Sequence, residues 1–125
     1  MLKDKSSSAI VAVSDIARAR DFYQKMLGLE IQDDSMGEVL VFRTGDTSLV
    51  VYKSEYAGGN KANAVVWDVG GEIDAITKTL KDKGMIFEHY EGDGMKLEGD
   101  VHVSREMKMV WFKDPDGNIL HLNNM

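Results

Sequence analysis

The chain has 125 residues, enough for one domain with a real core and too few for two independent ones. Its 43% apolar and 29% charged residues are ordinary for a soluble globular protein, and a net charge of −6 without a basic stripe argues against nucleic acid or an anionic membrane surface as the main partner. The absence of cysteine excludes disulfides, thiolate zinc sites, iron–sulfur clusters and a cysteine nucleophile; MLKDKSSS has no apolar signal core and no apolar run reaches the roughly 18 residues of a membrane helix, so a cytoplasmic protein is expected.

Residues 8–13 (SAIVAV) have β character. Ser14 or Asp15 then offers an oxygen to cap a helix, in which Ile16, Ala19, Phe22, Tyr23, Met26 and Leu27 recur at three-four spacing. Gly28 is the expected left-handed stop. Strands over 29–33, 38–43 and 47–53 follow, separated by Ser35-Met36-Gly37 and Thr44-Gly45-Asp46. Residues 54–62 (SEYAGGNKA) read as a linker. The pattern then restarts: a strand over 63–69, a helix over 72–83 with Ile73, Ile76 and Leu80 inward, Gly84 as its stop, and a strand over 85–90. Residues 107–113 and 118–123 form a hairpin around Asp114-Pro115-Asp116-Gly117, the chain's one proline setting the turn.

Counting exposes a repeat. Val13 to Gly28 and Val69 to Gly84 each span fifteen positions; Phe42 to Tyr52 and Phe112 to Leu122 each span ten. The second copy carries about fourteen extra residues, 91–106. A period of 55–70 residues is too long for a solenoid, and two βαβββ units are the economical reading: module 1 over about 8–53, module 2 over about 63–123.

VAVSDIARARDFYQKMLGLEI and WFKDPDGNILHL resemble the first-module signature and the second-module ending of the vicinal-oxygen-chelate superfamily, which includes glyoxalase I, bleomycin-resistance proteins and extradiol dioxygenases. The resemblance covers nearly the whole chain. It implies an α+β fold of two tandem βαβββ modules whose eight strands curl into an open cup with the helices outside, in a homodimer. In metal-using members one ligand comes from the first and last strand of each module. Carried over, these positions hold Ser8, Val51, Ala64 (Asn63 one register along) and His121. One good donor, a hydroxyl and two hydrocarbons cannot replace the three or four donors a divalent ion needs. No cofactor is therefore expected, and a bound metal is disfavoured.

Parity places His121 and Ile119 on the cup face together with Ile10, Ala12, Leu49, Val51 and Val66, and pairing across the turn adds Val110 and Phe112. Such an apolar lining suits a small hydrophobic or aromatic molecule. His121 is then a polar anchor or general base in the cup, or simply a part-buried histidine bonded to backbone. The insertion 91–106 reads as an unstructured lid, in which Met95 packs over a ligand and His102 and Arg105 reach towards His121 and an anionic group. His89 reads as surface; Trp67 and Trp111 fall on the helix-facing parity. Asp114 and Asp116 are explained by turn chemistry, and EGDG opens no helix, so neither a dinucleotide nor a P-loop site is supported.

Two functions compete at this level. One is a small-molecule binding protein of the glyoxalase/bleomycin-resistance type with a degenerate metal site. The other is a lyase, isomerase or dioxygenase-like enzyme using His121, with or without a divalent metal held by unusual donors. A dimer with a vestigial cup is the third reading.

Overall fold

The computed structural model describes residues 1–92 and 94–125, which divide into two compact units, Met1–Asn60 and Lys61–Met125. The first unit contains β1 (Ala9–Val13), α1 (Ile16–Arg20), β2 (Glu30–Asp33), β3 (Val39–Thr44) and β4 (Thr47–Lys53). Asp15 is extended and its carboxylate accepts the Arg18 N–H at 3.0 Å, which caps α1. Beyond Arg20 the helix widens to π winding over Asp21–Met26, closed by the Leu27 N–H donating to the Phe22 carbonyl. Gly28, at φ 73°, then turns the chain into β2.

The sheet order is β1-β4-β3-β2, with β1 parallel to β4 and the remaining pairs antiparallel. Residues paired across strands share a face. Phe42 lies opposite Leu49, Leu40 opposite Val51, and Val51 opposite Val11. Tyr23, fully buried, packs on Phe42 with ring centroids 5.8 Å apart, so this face is the core beneath the helix. Leu49 and Val51 are therefore core residues, not neighbours of Ile10 on an open face. The physical reason is the parallel register, which sets Ile10 opposite Val50. Ile10 itself is 61% exposed on the other face.

The second unit contains β5 (Asn63–Asp68), a 3₁₀ turn at Gly70–Glu72, α2 (Ile73–Asp82), β6 (Phe87–Glu88), β7 (Lys96–Glu98), β8 (Val101–Ser104), β9 (Met107–Lys113) and β10 (Ile119–Asn123). Its sheet runs β5-β10-β9-β8-β7, with β6 also pairing with β9, and β5 parallel to β10. Ile73, Thr77 and Leu80 form the buried stripe of α2, and the Thr77 hydroxyl is satisfied by the Ile73 carbonyl at 2.7 Å. Gly84, at φ 95°, ends the helix.

The insertion is not a structureless lid. Residues 96–104 fold as the β7–β8 hairpin, which pairs with β9 and raises the strand total of the two mixed sheets, among the described residues, to ten. Asp93 lies outside the described residues. Pairing with β9 satisfies backbone groups that a bare loop would leave to water. The hairpin turn is also tied down: Asp100 meets His89 Nε2 at 2.8 Å and Lys81 Nζ of α2 at 3.0 Å. These partners, His89 first, hold the Asp100 carboxyl below its ordinary range. Neither sheet closes into a barrel.

Candidate functional site on the open face of the second sheet

The β9–β10 connection decides which side chains reach the open face. Lys113 pairs with Ile119, leaving five residues, 114–118, in the turn. Asn118 is drawn into it because Asp114 Oδ1 accepts the Asn118 and Asp116 N–H groups, at 2.9 and 3.0 Å, while Oδ2 accepts Asn118 Nδ2 at 2.8 Å. His121 consequently lies opposite Trp111, and Leu120 and Leu122 lie opposite Phe112 and Val110. Val110 and Phe112 are 0% and 1% exposed, with Phe112 edge-on to Phe87 at 5.9 Å, on the side where α2 packs against β9. Their expected place on the open face is thus corrected, and Trp111 takes it instead.

Trp111 organises this face. His121 stacks on it at 4.6 Å with 18° between planes. His102 meets it at 4.8 Å and 88°, and Tyr90 at 5.4 Å and 84°. His102 arrives there because β8 sets it opposite Met109, two residues from Trp111 on the same face. The row His121–Trp111–His102–Tyr90 connects two histidines expected to cooperate, through a tryptophan expected in the core.

His121 is 8% exposed and both ring nitrogens are engaged. Asn123 Nδ2 lies 3.3 Å from Nε2, and Nδ1 lies 3.1 Å from the Val110 carbonyl. An amide NH₂ can only donate and a carbonyl can only accept, so Nε2 is the acceptor and Nδ1 carries the hydrogen. Burial pulls the His121 pKa below its ordinary 6.5, and the Val110 hydrogen bond opposes this. The ring is neutral at pH 7. General-base work would require Nε2 to release the Asn123 amide first.

A pH test follows from the direction of that shift. The unfolded imidazole takes up its proton before the folded one, so the contribution is complete above the unfolded value of 6.5 and is lost as pH falls through the lowered folded value. The urea midpoint should fall between about pH 7.5 and about pH 5.5, and His121→Gln should flatten that fall. An equal fall in both proteins would assign the proton uptake to another group.

The metal positions implied by the resemblance do not fit an ion. Ser8 is exposed, Ala64 sits half-buried at a bulge in the β5–β10 ladder, and Val51 is in the core. Register corrects the last of these. Leu49 faces Phe42 as Leu120 faces Phe112, so the counterpart of His121 is Val50, opposite Ile10 as His121 is opposite Val66. Either valine offers only hydrocarbon. Among the described residues no group of three His, Cys, Asp or Glu side chains could hold a metal ion.

On the same face lies a wide-open pocket of about 760 Å³ lined by Gly94, Met95, Ser104, Arg105, Glu106, Met107 and Met109. Three flexible thioethers make an adaptable apolar wall. Arg105 occupies the β8–β9 turn at φ 58°, the one non-glycine among the described residues with positive φ, a conformation that costs a side-chain-bearing residue energy and clusters at ligand sites. Arg105 thus reaches a pocket, while His102 joins Trp111. Val66 is 57% exposed on β5, opposite His121; Ile10 belongs to the first unit. Sequence reasoning missed Trp111, Tyr90, Asn123, Met107 and Met109. The alternation of Met107, Met109 and Trp111 with Val110 and Phe112 was the available signal, once the turn length is known.

The chain belongs to the glyoxalase/bleomycin resistance protein/dioxygenase superfamily, whose family model matches residues 6–122. No curated protein matches it in sequence. Solved structures share its fold: a FosX fosfomycin resistance protein from Listeria monocytogenes, complexed with Mn(II) and a dihydroxypropylphosphonic acid, aligns at TM-score 0.73 and 17% identity over 99% of this chain and 91% of that one. A lactoylglutathione lyase from Agrobacterium tumefaciens aligns at TM-score 0.69 and 17% identity, over 98% and 95% of the two chains. An integron cassette protein from the mobile metagenome of the Halifax Harbour sewage outfall aligns at TM-score 0.72 and 16% identity, over 98% and 99%. No helix among the described residues is long and apolar enough to cross a membrane.

Proposed function

We propose that this protein binds a small apolar or aromatic molecule on the open face of its second sheet, without a metal ion, and acts as a homodimeric binding protein of its superfamily. The observation that carries this reading is the methionine-walled pocket, whose Met107 and Met109 share a strand face with Trp111 and its stacked, fully bonded His121. Large apolar surfaces with few convergent polar groups are what small-molecule sites require.

The test is a thermal-shift and tryptophan-fluorescence screen of aromatic and antibiotic-like compounds, on protein purified without added metal. A true ligand at about 100 times its Kd adds about 2.7 kcal/mol of stability. Met107→Ser with Met109→Ser should weaken its binding by about tenfold, the scale of removing two apolar contacts. A stoichiometric metal that disappears in His121→Ala would replace this reading with an enzymatic one, of the lyase, isomerase or dioxygenase kind, in which His121 is a ligand. No shift with any compound would leave a structural role.

A further inference from the structure

The β8–β9 connection is a two-residue hairpin loop, Arg105-Glu106, closed by the Ser104–Met107 pair. Arg105 has φ 58°, and Glu106 is not among the described residues of positive φ. Positive φ at the first central residue alone is the pattern of a type II′ turn, where glycine is the usual occupant. At the nine other described positions of positive φ the residue is glycine, so arginine here is the exception. The turn is held on its far side as well. Asn124 Nδ2 donates to the Glu106 carbonyl at 3.1 Å, and Asn124 Oδ1 accepts the Lys108 N–H at 2.8 Å. Flanking structure thus keeps Arg105 in a conformation that glycine would adopt at lower energy.

Strain kept in place this way points to a use for the side chain. Arg105 and Glu106 are both exposed, and among the described residues neither side chain has an ion-pair or hydrogen-bond partner. Other cations of this unit are committed: Lys81, Lys108 and Lys113 each meet a carboxylate, at 3.0, 2.7 and 2.9 Å. The methionine-walled pocket therefore carries one open cation and one open anion on adjacent residues of its wall, with the Ser104 hydroxyl beside them.

We propose that this pocket takes a zwitterionic α-amino acid with an apolar side chain, an assignment that rests on the small-molecule reading given above. The ligand carboxylate pairs with the Arg105 guanidinium, whose planar fork suits two oxygens, and accepts from the Ser104 hydroxyl. The ligand ammonium pairs with the Glu106 carboxylate. Opposite charges on one carbon call for a cation and an anion close together, which adjacent turn residues supply. Met95, Met107 and Met109 receive the apolar side chain and adapt to its shape. A ligand with only one charge would meet a like charge in the wall, so the pair selects for both. The wide opening leaves these charges in contact with water, which keeps the contribution of each one modest.

Methyl-¹³C-methionine NMR reads the pocket directly through Met107 and Met109. Four probes share a ring and a short chain: L-phenylalanine with both charges, 3-phenylpropanoate with the anion only, 2-phenylethylamine with the cation only, and 2-phenylethanol with neither. L-Phenylalanine is expected to bind about fivefold tighter than either singly charged probe, the scale of one part-exposed charge pair, and the margin should shrink at high salt. Arg105→Gly should abolish the advantage over 2-phenylethylamine and at the same time raise the urea midpoint, because glycine relieves the turn. Glu106→Gln should abolish the advantage over 3-phenylpropanoate. Equal binding of all four probes, an advantage that survives Arg105→Gly, or a midpoint lowered by that substitution would overturn the proposal. Methyl shifts with 2-phenylethanol that gain nothing from charge would refute the amino-acid class alone, whereas no shift with any of the four would overturn the apolar pocket as well.

Discussion

Phe112→Ala is expected to lower the free energy of unfolding by about 3–5 kcal/mol, read as a drop in the urea midpoint at unchanged slope. Phe112 is 1% exposed, faces Leu120 across the ladder and stands edge-on to Phe87. Truncation removes the transfer free energy of a ring and leaves a void that strands pinned on both sides of β9 cannot close. Leu120 is 0% exposed and Phe87 6%, so the ring's neighbours are themselves hemmed in. The variant also tests the assignment of faces. A loss below about 1 kcal/mol, or loss of ligand binding without loss of stability, would mean that Phe112 and not Trp111 lines the open side.

Asp114→Ala is expected to cost about 3 kcal/mol, with Asp114→Asn clearly milder. One carboxylate accepts three N–H groups within five residues, and both it and Asn118 are buried. Alanine leaves the Asn118 backbone and side-chain donors without that acceptor, whereas asparagine retains one oxygen. The consequence extends beyond stability. Asn118 held in the turn makes the connection five residues long, and this odd length aligns His121 with Trp111. Loss of the clamp should broaden or shift the NMR signals of both rings. An Asp114→Ala protein with native stability and unchanged Trp111 and His121 signals would refute this account of the register.

That register also marks the boundary of what could be read from residues alone. Local signals were legible: the Asp15 cap, the glycine stops at 28 and 84, the duplicated spacing and the family motifs all correspond to what the chain builds. Each of these is written within a few residues. Sheet faces are different, because a single residue taken into a turn inverts every side chain of the following strand. Val110 and Phe112 were misplaced by the hidden role of Asn118, and Leu49 and Val51 by a parallel pairing that joins strands nearly forty residues apart. The insertion reads as unstructured in the sequence because Lys96–Glu98 is exposed throughout and carries no apolar alternation. Val101–Ser104 did carry one, in VHVS, with His102 on the phase of Ser104. His121 accepts from the Asn123 amide and donates to the Val110 carbonyl, and no pattern in the sequence announces these two hydrogen bonds.

Met95 has a consequence of its own. Its side chain lines the methionine-walled pocket, and its methyl end would lie 2.7 Å from a Cβ built on Gly92, so any larger residue there would displace it. The bare Cα at position 92 is thus what leaves this thioether free to follow the shape of a guest.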